Sequence, residues 1–147
     1  MKPASKKLIP TLVFLALACL LWVERERSDD PGGSSGHSDD ALATAFEHRR
    51  SNLDVEAEGV VIKVLPDDNE GSRHQRFIVK LRSGQTLIIA HNIDLARRIL
   101  SLAEGDSVAF RGEYEWNPQG GVIHWTHHDP GGRHVAGWLM HDGKKYQ

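Results

Sequence analysis

Imidazole is the side chain whose unperturbed charge changes between about pH 5 and 8, and it is the commonest protein ligand for transition metals. In this 147-residue chain seven of the nine histidines stand at or after His74, and four fall in or just after the run GVIHWTHHDP, residues 121–130. Read as a strand, that run places His124, Thr126 and His128 on one face and Ile123 and Trp125 on the other, because successive side chains alternate. An Asn-Pro-Gln-Gly turn at 117–120 pairs Trp116 with Gly121, so that Glu113 faces His124 and Arg111 faces Thr126 on the outside of the hairpin. In that register Glu113 can fix the His124 tautomer or raise its pKa, and Thr126 can donate to a ligand oxygen. His127 falls on the inner parity and reads as a buried, hydrogen-bonded histidine.

Two chemistries fit these residues. In one, His124 held by Glu113 is a general base or metal ligand and Arg76 neutralises phosphate charge, the apparatus of a histidine-based phosphodiesterase or nuclease working with or without a metal. In the other, His124, His128 and His134 hold a divalent metal, with Asp129 and Glu113 within reach. No His-Glu-x-x-His signature is present. The His-x-Thr strand is similar to half of a two-histidine phosphoesterase motif, whose second copy is missing. The acidic loop at 67–71 lacks the alternating ligand spacing of a calcium-binding EF-hand and reads as a solvated turn, or as a partner for Arg73 and His74.

The elements that must position these groups follow in order. A short stem helix, capped by Asp39 or Asp40, runs to about Ser51 with Leu42, Ala45 and Phe46 on one stripe. Residues 53–65 alternate as a strand whose parity switches, Leu53, Val55 and Ala57 on one face and Val60, Ile62 and Val64 on the other, which predicts a bulge at Gly59. Residues 73–82 and 85–91 form a hairpin about a Ser83-Gly84 turn, Arg82 pairing with Gln85. That register puts Phe77, Val79, Leu81, Ile88 and Ala90 on one face, and Arg76, Leu87, Ile89 and His91 on the other, with Arg76 opposite His91. Asn92 or Asp94 caps a helix to about Glu104, with Leu95, Ile99 and Leu102 on its stripe and Gly105 past its end. Strands at 107–116 and 121–128 follow, then a tail from Trp138 to Tyr146 with a tight Asp142-Gly143 turn, either a lid over the site or a strap on the barrel.

This order predicts an all-β domain with a helix: a five-stranded, OB-fold-like barrel, its helix between strands 3 and 4, preceded by an N-terminal membrane helix and the short stem helix. Ligands of that fold meet the outer face of strands 2 and 3 and the loops 1–2 and 4–5, here residues 66–72 and 117–120. His74, Arg76, His91, Thr126 and His128 are therefore the candidate ligand-binding residues, with His124 and Glu113 the candidate catalytic pair. The stretch from Ile93 to Arg97 distantly resembles the Ile-Asp-x-Pro-Glu of staphylococcal nucleases, which share the barrel, but Ala96 and Arg97 replace the Pro and Glu and Ile89 stands in place of their arginine, so that mechanism is not carried over.

Residues 8–23 are apolar apart from Pro10, Thr11 and Cys19, follow three lysines and precede a charged segment. Three readings stay open: an uncleaved signal anchor, a signal peptide cut after Ala18, or a lipoprotein modified at Cys19. Each exports the remainder, so the expected location is the bacterial inner membrane, single-pass, with the C-terminal domain in the periplasm or outside the cell. Residues 1–27 form this segment, 28–40 a Gly/Ser/Asp-rich flexible linker, and 41–147 the domain. Cys19 is the sole cysteine, which excludes thiol catalysis, zinc-thiolate sites and disulfides from the domain. From Ala41 onward 13 Lys+Arg oppose 14 Asp+Glu, so net charge does not favour nucleic acid as the partner.

The motifs LPDD at 65–68 and HWTH at 124–127 resemble those of a bacterial family of small exported proteins catalogued as domain of unknown function 3465, over about residues 59–147. The resemblance implies export and supplies no activity. The residues alone support a membrane-tethered extracytoplasmic barrel binding a polar or anionic ligand (nucleic acid, saccharide or metal) through a histidine-rich outer face. The alternatives are the phosphodiesterase above and a structural envelope protein.

Overall fold

The computed structural model describes residues 33–147; the expected membrane segment, and the first residues of the expected linker, lie outside the described residues. Among the described residues no helix is long and apolar enough to cross a membrane. Helix α1 (Gly33–Glu47) is followed by β1 (Leu53–Val64), β2 (His74–Lys80), β3 (Thr86–Asn92), β4 (Ser107–Glu115), β5 (Val122–His124), β6 (Trp138–His141) and β7 (Lys144–Tyr146). Strand order β1-β2-β3-β5-β4, with β4 returning to pair with β1, closes a five-stranded barrel; β5 runs parallel to β3 and every other pairing is antiparallel. Closure removes the open edges a small sheet would otherwise expose. The core holds Val61, Phe77, Val79, Leu87, Ile89, Val108, Phe110, Tyr114, Ile123 and Leu139.

Helix α1 packs Leu42 and Ala45 into this core, as their spacing predicts. Phe46 stacks on Trp116, whose indole N–H donates to the Phe46 carbonyl at 3.1 Å, so the stem is fixed to the end of β4. The helix starts at Gly33, ahead of the predicted caps. Asp39 is buried and accepts a hydrogen bond from the Ser83 amide at 3.2 Å, so it joins the helix to the β2–β3 turn and does not cap its N-terminus.

Two expectations about register and one about a helix are corrected. In β1, Ala57, Gly59 and Val61 keep one inward parity, and the irregularity lies between Val61 and Lys63 instead of at Gly59. Val60, Ile62 and Val64 are therefore exposed on the outside. Gly59 serves close approach: a Cβ there would sit 3.0 Å from Val79 Cβ across the β1–β2 pair.

In the β2–β3 hairpin the loop has three residues, Arg82 to Gly84, closed by Leu81 N–H to Gln85 O at 2.9 Å, and Gly84 occupies the left-handed region at φ 90°. Lys80 then pairs with Thr86, one residue out of the expected register. A slip of one inverts a strand's faces. Leu87, Ile89 and His91 turn inward, and His91 lies opposite Gln75, not Arg76.

The predicted helix between the third and fourth strands is absent. Asn92 Oδ1 accepts from the amides of Asp94 and Leu95, and one turn closes from Ala96 N–H to Asn92 O. The ladder then stops because the buried Gln75 claims the backbone of Ile99: its Nε2 donates to Ile99 O and its Oε1 accepts from Ile99 N–H, both at 2.9 Å. A helix would have sent that amide to Leu95 O. Ile99 is buried and Leu102 packs half-buried against the core, while Leu95 is exposed, so the apolar periodicity is real but only part of the stripe reaches the core. Replacing Gln75 by Ala should strand two buried backbone groups and cost about 2 kcal/mol or more. Equilibrium urea unfolding checks this; an unchanged midpoint would mean that the connection is held elsewhere.

The last hairpin has the expected register, with Glu113 opposite His124 and Tyr114 opposite Ile123. The tail is part of the barrel wall: β6 pairs with Val108 to Arg111 of β4, and Asp142 and Gly143, at φ 48° and 70°, form the tight turn into β7. It is a strap, and His141 beneath it is buried with its Nε2 2.8 Å from an Asp106 carboxylate oxygen.

Candidate functional site

Strand β5 ends at His124 because Trp125 takes a left-handed backbone, φ 55°, which is rare for a bulky residue. The turn breaks the period-two alternation. His124 stays on the outer face above Glu113, Thr126 swings inside and is wholly buried, and His128 is exposed. The three residues expected on one face are thus separated.

Thr126 meets His91 in the interior. His91 Nε2 is 3.2 Å from the Arg97 carbonyl, and a carbonyl can only accept, so Nε2 carries the proton and the Thr126 hydroxyl donates to Nδ1 at 2.8 Å. Burial lowers the His91 pKa to about 4, with His127 and His74 pushing the same way, and the ring is neutral at neutral pH. His91 and Thr126 form a structural pair behind the site and offer nothing to an external ligand.

Outside, β4 presents Glu113 and Glu115 on one face. His124 Nε2 lies 3.8 Å from Glu113 Oε1 and 3.9 Å from Glu115 Oε1, beyond hydrogen-bond distance of either, and is buried with no hydrogen-bond partner. Desolvation holds the His124 pKa below the ordinary value despite the pull of the two carboxylates, which keeps the imidazole lone pair available. Among the described residues neither glutamate is paired with a lysine or arginine; Arg111, the nearest cation on their face of β4, is bound to Asp54 at 2.7 Å.

His134 reaches this cluster from the following loop. Asp129 is buried and its carboxylate accepts from the amides of Gly131, Arg133 and His134 at 2.8 to 3.0 Å, which shapes the loop and holds the carboxyl well below its usual pKa. The His134 ring then stacks on Trp125, centroids 3.7 Å apart and planes 13° off parallel, with Nδ1 3.2 Å from Glu113 Oε2. Glu113 is thus shared: one oxygen toward His124, the other bound by His134.

A pocket of about 300 Å³ opens beside His124, lined by His74, Ala90, Asn92, Leu95, Trp125 and His127. His127 donates from Nδ1 to the His128 carbonyl at 2.8 Å, which leaves Nε2 as its open nitrogen. No acidic side chain lines this pocket.

Of the sequence-predicted residues, the fold gathers His74 and His124 in the pocket and Glu113, His124 and His134 in the cluster. Arg76 is spent on the Pro66 carbonyl, to which Nε and an Nη donate at 3.2 and 3.1 Å. The acidic loop partners His74, as expected, through two backbone hydrogen bonds between Asp68 and His74, while its Asp67 pairs with Arg98 and Arg73 is held by Asp94 at 2.7 Å instead. Sequence reasoning missed Glu115, Trp125 and the pocket role of His127. Glu115 was legible as the same-face neighbour of Glu113; the Trp125 turn had no signal in the sequence.

The model of a protein family described as "Protein of unknown function (DUF3465)" matches residues 33–147, which takes in α1 as well as the barrel. No curated protein matches the chain.

Proposed function

The chain belongs to the DUF3465 family, and from that premise we propose that it is a binding module: an OB-fold-like barrel, exported and tethered to the inner membrane by its N-terminal segment, that takes a polar or anionic ligand in the pocket of His74, His124 and His127. The single observation behind this reading is the lining: three imidazoles and an amide with no carboxylate suit a ligand rich in hydrogen-bond acceptors, such as a phosphate or a sugar oxygen. The strand order β1-β2-β3-β5-β4-β1 supports the OB-fold assignment, and the pocket takes His74 from strand 2, Ala90 from strand 3 and His124 from strand 5. The lysines before the apolar run support the tether with its C-terminal side outside.

The test is titration of the full-length chain in detergent with inorganic phosphate, a short single-stranded DNA and a neutral oligosaccharide, followed by tryptophan fluorescence. At least one should bind, and His74→Ala should weaken it about tenfold, the worth of one well-made hydrogen bond, with the thermal transition kept. Saturable binding that His74→Ala and His127→Ala leave unchanged would put the ligand elsewhere.

A second reading, hydrolysis of phosphodiesters, draws on the Glu113–His124 geometry beside the pocket. Incubation with single- and double-stranded DNA and RNA, with and without divalent metals, decides it; intact substrate under every condition removes it.

A further inference from the structure

We propose that Glu113, Glu115 and His124 form a binding site for one first-row divalent cation of the zinc or manganese type, with His134 orienting Glu113. The three side chains offer two carboxylate oxygens and an imidazole nitrogen that all lie within 4.8 Å of one another. Adjacent donors around a tetrahedral ion at about 2.0–2.2 Å stand about 3.3–3.6 Å apart, and the His124 separations of 3.8 and 3.9 Å are only a few tenths of an ångström wider. Rotation of the half-exposed Glu115 closes the remainder.

The unpartnered His124 nitrogen points the same way. Buried polar atoms are nearly always hydrogen-bonded, yet His124 Nε2 is buried without a partner while two unneutralised carboxylates face it. A shared cation would give His124 Nε2 its partner and balance the charge of both carboxylates. Two carboxylates and one imidazole are hard to borderline donors, which select zinc or manganese over cuprous copper and leave coordination positions for water or a ligand atom.

His134 fits an orienting role better than a coordinating one. Its Nδ1 lies 3.2 Å from Glu113 Oε2, and stacking on Trp125 fixes its plane, so it holds the carboxylate with Oε1 toward His124. The metal set foreseen from the sequence, His124, His128 and His134, is thereby revised: Glu113 and Glu115 come from β4 and His124 from β5, His134 orients, and the exposed His128 takes no part.

The inference shares His124 with the pocket reading but rests on Glu113 and Glu115, which do not line the pocket, so the two fail separately. The experiment takes the full-length chain in detergent, stripped with a chelator, and titrates Zn²⁺ by calorimetry and Mn²⁺ by electron paramagnetic resonance. We expect one site per chain. Glu115→Gln, a half-exposed strand position whose change leaves the fold intact, should lower affinity at least about tenfold. His134→Ala should lower it by less, and His134→Gln, which keeps a donor toward Glu113, should restore part of the loss. His74→Ala should leave the metal in place. Absence of a stoichiometric site in the wild-type chain, or wild-type affinity in both Glu115→Gln and His124→Ala, overturns the proposal, the latter because the metal would then sit on other histidines.

Discussion

Acidification from pH 7 to pH 4 is expected to cost the barrel about 3 kcal/mol through His91 alone. In the folded chain this imidazole titrates near 4, against 6.5 for the exposed group. Above about pH 6.5 the ring is neutral in both states and its contribution is complete. Between 6.5 and 4 the unfolded chain takes up the proton that the folded chain refuses, so stability falls by about 1.4 kcal/mol for each unit. Below about 4 both states are protonated and the loss levels off. The cause is first desolvation, since the ring is wholly buried, and then the neighbouring His127 and His74; together they outweigh the contacts to Arg97 and Thr126, which favour the protonated ring. A proton on Nδ1 would place a charge in the desolvated interior beside His127 and His74.

The check is urea unfolding at pH 7, 5.5 and 4 for the wild type and His91→Gln. The glutamine keeps a neutral donor within the cavity but cannot titrate. It should be less stable than wild type at pH 7, where its imperfect fit matters, and its stability should decline less steeply toward pH 4. Parallel curves for the two proteins would assign the acid sensitivity to other groups. Because Thr126 follows the Trp125 turn, tryptophan fluorescence should report loosening of the pocket wall over the same interval.

How far the site could be read in advance depends on which interactions are local. The Glu113–His124 pair was legible because the alternation of Arg111, Glu113 and Glu115 and the turn at 117–120 set register without help from the rest of the chain. The β2–β3 register was not, because Ser83-Gly84 has the composition of a two-residue turn while Gly84 in fact closes a three-residue loop. That single residue moved His91 from the ligand face into the core. The stretch at 92–104 carries a sound helical period, overridden by one long-range contact from Gln75 that no local pattern announces. Trp125 is the extreme case. Its left-handed backbone separates His124 from Thr126 and brings its ring onto His134, and only tertiary packing can impose it.

The packing that imposes it is concentrated at Gly137, where alanine is expected to cost about 3 kcal/mol or more and to dismantle the site. A Cβ at this position would lie 1.9 Å from the Trp125 carbonyl oxygen, 2.6 Å from the Arg111 carbonyl oxygen and 2.9 Å from Thr126 Cα. All three are backbone atoms, so no rotamer change relieves the contact. Gly137 is the residue before β6 pairs Trp138 with Arg111, and its amide donates to the His127 carbonyl at 3.0 Å. The strap can cross here only if it carries no side chain. An alanine must therefore push away either β4, which holds Glu113, or the turn that fixes Trp125, and in both cases the His124–Glu113 and His134–Glu113 contacts are lost. Gly132 supplies the comparison: it has φ 63° and nothing within 4 Å of an added Cβ, so Gly132→Ala should cost only the left-handed backbone penalty of about 1 kcal/mol. Denaturant unfolding of both variants, together with near-ultraviolet circular dichroism of the tryptophans, separates the two effects. Equal stability of Gly137→Ala and Gly132→Ala would show that the strap is free to move and that Trp125 owes its backbone to something other than the crossing at Gly137.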